Sequence, residues 1–299
     1  MIRRPAVSAR WVALMALALV AACGERPQPG GDGPPSTSAA ESTLQVADAE
    51  GRTVALPAPA RRVVSLVPSI TSTVVALGAG DRLVGRTDFD TEAAVLELPT
   101  VGGGLGPDLE SLAALDPDLV IRFAGESDRA TPDRLDDLGI PHLAVRPDRV
   151  ADVFTIVEWV GRLLALDDEA AELNARLQGE LDAVRAEVSG RAPVQAAWLM
   201  GGSPPWTAGE GTYIDELITL AGGVNALGDV GALYGAVSPE VVATREIEVV
   251  LLSEGAEVDA RLLEGRRVVR LPSSVQQPGP GLGDAARAVA DALHGVDRP

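Results

Sequence analysis

The stretch Asp168 to Ser189 reads DEAAELNARLQGELDAVRAEVS, and Leu173, Leu177, Leu181, Val184 and Val188 recur in it at spacings of four, four, three and four. An apolar stripe of that period, with Glu172, Arg176, Glu180, Asp182, Arg185 and Glu187 on the other faces, predicts one long amphipathic helix. Asp167 and Asp168 offer N-cap oxygens, Glu169 sets negative charge in the first turn, and Gly190 followed by Pro193 supplies the stop. At about 1.5 Å per residue the helix runs roughly 30 Å, the width of a small domain. The sequence before it and the sequence after it read as two versions of one unit, so a rod of this length fixes their separation.

Upstream, Val63-Val64-Ser65-Leu66-Val67 is an unbroken apolar run of strand length stopped by Pro68-Ser69. Leu83-Val84-Gly85, Leu119-Val120-Ile121 and His142-Leu143-Ala144-Val145 repeat the pattern. Helical segments come between and after them, among them Pro132 to Leu138 and Ala151 to Leu166, where Trp159 is read as a packing residue. Downstream, Val194 to Met200 and Val268 to Leu271 read as strands, Thr212 to Leu220 and Gly283 to Leu293 as helices. Continuous apolar strands alternating with helices predict an α/β protein: two Rossmann-like lobes, each with a mostly parallel central sheet covered on both faces. The lobes echo each other at an offset of 130, since Asp108-Leu109-Glu110 leads into Val120-Ile121 as Ser238-Pro239-Glu240 leads into Val250-Leu251. Leu44 to Leu56 adds a hairpin around Asp48-Ala49-Glu50-Gly51.

Arg3, Arg4 and Arg10 precede the apolar run Trp11 to Ala22, the layout of an export signal and too short for a permanent membrane span. The run ends Val20-Ala21-Ala22-Cys23, which resembles the bacterial lipoprotein box in which the Cys, here the only one in the chain, carries the lipid. Gly24 to Thr43 is rich in Pro, Gly, Ser and Thr and buries too little apolar surface to fold. The expected organisation is a lipoprotein signal peptide over residues 1–22, a tether over 23–43, an N-terminal lobe over 44–166, the bridging helix over 167–190 and a C-terminal lobe over 191–299. Such a protein is exported and lipid-anchored to a membrane, facing the periplasm or the cell exterior.

Acidic residues outnumber basic ones 43 to 25, every base being Arg, for a net charge of −18. That surface repels phosphate backbones and excludes nucleic acid as a partner. Catalysis fits poorly, because neither His142 nor His294 neighbours a loop Ser and no Gly-x-Ser-x-Gly elbow occurs. Gly102-Gly103-Gly104-Leu105-Gly106 lacks the Lys of a phosphate loop. Clustered His or Cys for a transition metal are missing, so neither a metal nor a resident cofactor is expected. Binding remains. Of the eight aromatic residues beyond the leader, Phe89, Phe123, Trp206 and Tyr234 fall in or beside strand-end loops, where open parallel sheets take ligands. Drawn from both lobes, they form a flat apolar surface for a ligand in the cleft.

From Leu44 to the C-terminus the chain resembles the solute-binding proteins of bacterial importers for cobalamin, ferric siderophores and haem. Arg62 to Ser69 (RVVSLVPS), Val101-Gly102-Gly103, Leu109-Glu110 through Pro117-Asp118-Leu119-Val120 and Pro278-Gly279-Pro280 are similar to motifs shared across that family. Pro204 to Gly209 (PPWTAG), Thr212 to Ile218 (TYIDELI) and Ala221 to Asn225 (AGGVN) resemble the cobalamin branch more narrowly. The resemblance implies a class III substrate-binding protein, two lobes on one rigid helix with little hinge closure. It implies a corrinoid ligand held by Pro68, Ser69, Phe89, Gly104 and Phe123 of one lobe and Pro205, Trp206 and Tyr234 of the other, with no catalysis. It also implies a monomer whose Glu110 and Glu240 dock into Arg pockets of a dimeric ABC permease. Three places depart from the pattern: Gly104 where cobalamin binders carry Trp, Ser72 where relatives carry Glu, and Asp90-Thr91 where Tyr-Pro is common. Arg122 and Arg86, near the same loops, keep a ferric siderophore as the alternative cargo. Haem is less favoured, because Tyr234 is the one axial ligand the loops offer. An exported α/β enzyme is the alternative of another class.

Overall fold

The computed structural model describes residues 43–125 and 128–295. The expected leader, Cys23 and the tether as far as Ser42 lie outside those residues. Strands β1 (Leu44–Ala47) and β2 (Thr53–Leu56) pair antiparallel as the expected hairpin. The first lobe follows with β3 (Val63–Ser65), α1 (Pro68–Ala76), β4 (Leu83–Gly85), α2 (Leu109–Ala114), β5 (Leu119–Phe123), α3 (Ala130–Leu138) and β6 (His142–Val145). Its sheet is parallel throughout, in the order β4-β3-β5-β6. Two helices then run in succession, α4 (Val150–Leu164) and α5 (Asp167–Val188). The second lobe comprises β7 (Val194–Leu199), β8 (Trp206–Ala208), α6 (Tyr213–Leu220), β9 (Gly223–Asn225), β10 (Tyr234–Ala236), α7 (Pro239–Thr244), β11 (Val249–Ser253), β12 (Arg267–Leu271) and α8 (Leu282–His294). Its sheet is parallel too, in the order β12-β11-β7-β9.

Strand side chains alternate between faces, and both faces of both sheets are buried. Val63, Leu119, Ile121 and Leu143 join one apolar cluster while Val64, Leu66 and Val120 join another. In the second lobe Ala196, Trp198, Val249 and Leu251 separate in the same way from Ala197, Leu199, Val250 and Leu252. The largest cluster is common to both lobes. It passes from the first sheet through α4, the α5 residues Leu173, Leu177, Leu181 and Val184, and α8 to the second sheet. Close-packed interiors transmit displacement instead of absorbing it, so a shared core of this kind opposes hinge bending between the lobes.

The start of α5 differs from expectation. Its cap position is Leu166, with no side-chain hydrogen bond, because the chain reverses through Ala165 in the left-handed conformation (φ 52°). Asp167 already lies in the helix, and its carboxylate pairs with Arg162 at 3.2 Å instead of capping. Asp167, Asp168 and Glu169 still fill the first turn, where the helix dipole favours negative charge. At the α4–α5 corner a Cβ on Gly161 would stand 2.5 Å from that of Ala170, so the two helices meet where one of them has no side chain.

Candidate functional site

The first wall of the cleft is built at the carboxyl ends of β3 and β5. Pro68 and Ser69 begin α1 directly after β3, and Phe123 ends β5. The glycine-rich loop runs beside them for a steric reason. A Cβ on Gly104 would stand 2.3 Å from the carbonyl oxygen of Leu66 and 3.7 Å from the ring of Phe123, while one on Gly103 would stand 3.9 Å from the ring of Phe89. A Trp at position 104 is therefore sterically excluded by the backbone as it runs here. Phe89 is 66% exposed, and the turn that presents it is fastened by Asp90. The buried Asp90 carboxylate accepts the N–H and the hydroxyl of Thr87 at 2.6 and 2.8 Å, and Thr87 in turn accepts the N–H of Phe89 at 3.2 Å. The departure from the family pattern at position 90 is thus a turn anchor.

Arg122 corrects a reading of the sequence. It is buried, and its guanidinium meets the Glu50 carboxylate at 2.6 and 3.1 Å and His142 Nδ1 at 2.9 Å. It therefore cannot face an anionic ligand. Arg86 is spent as well, donating to the backbone oxygens of Thr87 and Leu96 at 2.9 and 3.3 Å. The Glu50 carboxyl is held at about 2, chiefly by its bond with Arg122 and against the opposing effect of burial. The same carboxylate accepts the N–H of Gly125 at 3.1 Å, which ties the hairpin loop to the strand end carrying Phe123.

The second wall is a two-stranded antiparallel ribbon of β8 and β10, where the sequence predicts loop. Trp206 stands opposite Ala236, and Tyr234 opposite Ala208. With a side-chain period of two, Trp206 and Tyr234 lie on the same face of the ribbon. Trp206 is 51% exposed and Tyr234 38%. Pro205 is buried behind them, its carbonyl accepting the N–H of Val237 at 2.9 Å. The Tyr234 hydroxyl is pushed up to about 12, first by burial and then by the charge of Asp148 from the other lobe, with a Thr212 hydrogen bond opposing.

Both lobes contribute to one cavity of about 430 Å³. Pro68, Ser69, Phe123 and Arg146 to Asp148 line it from the first lobe, and Gln276, Gln277 and Pro278 from the second. The lobes come into close approach there, since a Cβ on Gly279 would stand 2.9 Å from the Ser69 carbonyl oxygen. Of the eight expected ligand residues, Pro68, Ser69 and Phe123 meet in this cavity, with Phe89 and Gly104 on the same wall. Trp206 and Tyr234 stand on the ribbon, and Pro205 is their support. Arg146, Asp148 and the two Gln residues were missed. The first pair follows directly after β6, the strand-end placement that singles out Phe123 after β5, and that signal was available.

Glu110 and Glu240 occupy equivalent places. Each is the second residue of a short helix, exposed, behind a capping side chain: Asp108 accepts the N–H of Glu110 and Ser111 at 3.1 Å, and Ser238 accepts that of Val241 at 3.3 Å. Among the described residues no group of three or more His, Cys, Asp or Glu could hold a metal ion. No described helix is long and apolar enough to cross a membrane.

Residues 63–272 match the periplasmic binding protein family. The vitamin B12-binding protein of Yersinia pestis (strain Pestoides F) is 28% identical over 200 residues, 66% of this chain and 71% of its own. Among solved structures, the apo periplasmic heme-binding protein RhuT from Roseiflexus sp. RS-1 superposes with a TM-score of 0.68 at 26% identity, covering 78% of this chain and 99% of that one. The periplasmic vitamin B12-binding protein BtuF of Vibrio cholerae gives 0.70 at 23% identity over 81% and 99% of the two chains, a likeness of fold.

Proposed function

The chain belongs to the periplasmic binding protein family, and we propose that it captures a corrinoid such as cobalamin between its lobes and hands it to an ABC importer. The observation that carries this reading is the set of exposed rings on the two lobes, Phe89 on one and Trp206 with Tyr234 on the other, together with Phe123 in the cavity lining. Large aromatic side chains left in water lack an apolar partner within the chain, and the broad face of a corrin supplies one. The 28% identity to a vitamin B12-binding protein points the same way.

The identity to a heme-binding protein and the cleft phenol of Tyr234 favour a second reading, haem. Tyr234 is the one axial ligand that the strand-end loops offer to a haem iron, which ranks haem below the corrinoid. The siderophore reading loses the support it drew from Arg122 and Arg86, both of which are engaged within the protein. Delivery to the membrane is assigned to Glu110 and Glu240, an exposed pair on equivalent helices suited to Arg pockets of a two-fold permease. Anchoring is assigned to a lipid on Cys23. A single competition tests the cargo: dialyse the protein against an equimolar mixture of cyanocobalamin, haem and a ferric siderophore, then record the visible spectrum it retains. Corrinoid bands support the proposal, and a Soret band without them overturns it.

A further inference from the structure

His142, at the start of β6, is buried, and the charged groups that face it come from three elements. The β1–β2 hairpin brings Asp48, Glu50 and Arg52, β5 brings Arg122 and α3 brings Asp136. Nδ1 of the imidazole lies 2.9 Å from Arg122 Nε and 2.7 Å from Arg52 Nη2. A guanidinium can only donate, so Nδ1 offers its lone pair. The ring proton is then on Nε2, which donates to Asp136 Oδ1 at 3.0 Å, with Arg52 Nη1 at 3.2 Å beside it. These partners specify a neutral ring in one tautomer.

A second proton has to enter at Nδ1, where both atoms within reach are donors. The hairpin carboxylates are already engaged. Asp48 accepts the N–H groups of Glu50 and Arg52 and the Arg52 Nε, while Glu50 accepts from Arg122 and from Gly125. Burial holds the imidazole below its usual 6.5, with the Asp136 bond opposing and the charges of Arg52 and Arg122 adding to it. To admit the proton, Arg122 Nε must leave Nδ1. The same guanidinium donates to the Phe123 carbonyl at 3.0 Å, and its partner Glu50 holds the Gly125 N–H. Phe123, Ala124 and Gly125 line the inter-lobe cavity. The imidazole therefore reaches the cavity wall through one side chain.

We propose that His142 is a pH-sensitive latch on the cleft: the neutral ring holds Arg122 and the cavity wall in the ligand-binding form, and the protonated ring frees them and releases the ligand. The proposal rests on the corrinoid reading above. Isothermal titration with cyanocobalamin, which itself takes up no proton between about pH 5 and about pH 8, tests it at the two ends of that range. The unaltered protein should bind about tenfold more weakly at the acid end, a common scale of coupling between two sites. Because the ligand favours the neutral ring, binding at the acid end should also release protons, read as a heat that changes with the ionisation enthalpy of the buffer. H142N, whose side-chain oxygen still accepts from Arg122, should lose both the fall in affinity and the proton release. Equal affinity at both ends, a fall without proton release in the unaltered protein, or both effects persisting in H142N overturns the latch and leaves the corrinoid reading standing. No binding at the alkaline end overturns both.

Discussion

Glu50 and Arg122, 72 residues apart in the chain, form a two-pronged ion pair of 2.6 and 3.1 Å behind the wall of the cleft. The guanidinium side is 3% exposed, and the carboxylate also holds the Gly125 N–H at 3.1 Å. A hairpin loop ahead of the first lobe's sheet thus fixes the strand end that carries Phe123, and removing its carboxylate leaves a buried positive charge without its anion. Glu50→Ala should lower the unfolding free energy by about 3 kcal/mol, the usual cost of breaking such a pair from one side. Urea unfolding checks this. A midpoint unchanged from the unaltered protein contradicts it.

Acid should weaken the same corner in two steps. His142 is held below its usual 6.5, first by burial, then against the Asp136 hydrogen bond and with the nearby charges of Arg52 and Arg122. Glu50 is held at about 2 instead of 4.5. In both cases the unfolded chain takes up the proton more readily, so stability rises with pH. It is complete at neutral pH, declines below 6.5 as unfolded His142 protonates, and declines again between 4.5 and about 2 as Glu50 does. His142→Asn keeps an oxygen to accept from Arg122 and should flatten the first decline while sparing the second. Urea midpoints measured across pH show it, and identical slopes in both proteins speak against it.

Gly104→Ala places a methyl group 2.3 Å from the Leu66 carbonyl oxygen, a backbone atom that cannot swing away. Overpacking of this kind costs about 1–3 kcal/mol. Because the displaced loop also packs on Phe123, ligand affinity should fall with stability, whereas a mutation on the outer helices should lower stability alone. Thermal unfolding and a ligand titration on one sample separate the two outcomes.

Much of this was legible in the sequence. The strands of both sheets announce themselves as short apolar runs except β9, whose Gly-Val-Asn reads as the end of the preceding helix, and the period of Leu173, Leu177, Leu181 and Val184 gave the bridging helix nearly to the residue. Its cap was misplaced because the reversal at Ala165 is a backbone event that no local composition signals. The β8–β10 ribbon was illegible, since its strands are three residues long and lie far apart in the chain. Arg122 was misread for a related reason: one Arg in an apolar strand looks free until the partner supplied by a distant hairpin is seen. The Gly-rich loop was noticed without its cause, a close approach to Leu66.

The matching positions of Glu110 and Glu240 predict a separation of functions. Glu110→Ala combined with Glu240→Ala should abolish ligand uptake by cells while leaving ligand affinity in solution unchanged, because both side chains are exposed and neither lines the cavity. Loss of affinity in the double variant contradicts the docking assignment.

The central claim is that the cleft takes a corrin against rings of both lobes, and Trp206 on the second wall is a built-in reporter. Titrating the purified protein with cyanocobalamin while following tryptophan fluorescence tests it most directly. The account predicts a saturable quench at micromolar ligand that shrinks in Trp206→Phe. A signal that never saturates, or a full quench in that variant, contradicts it.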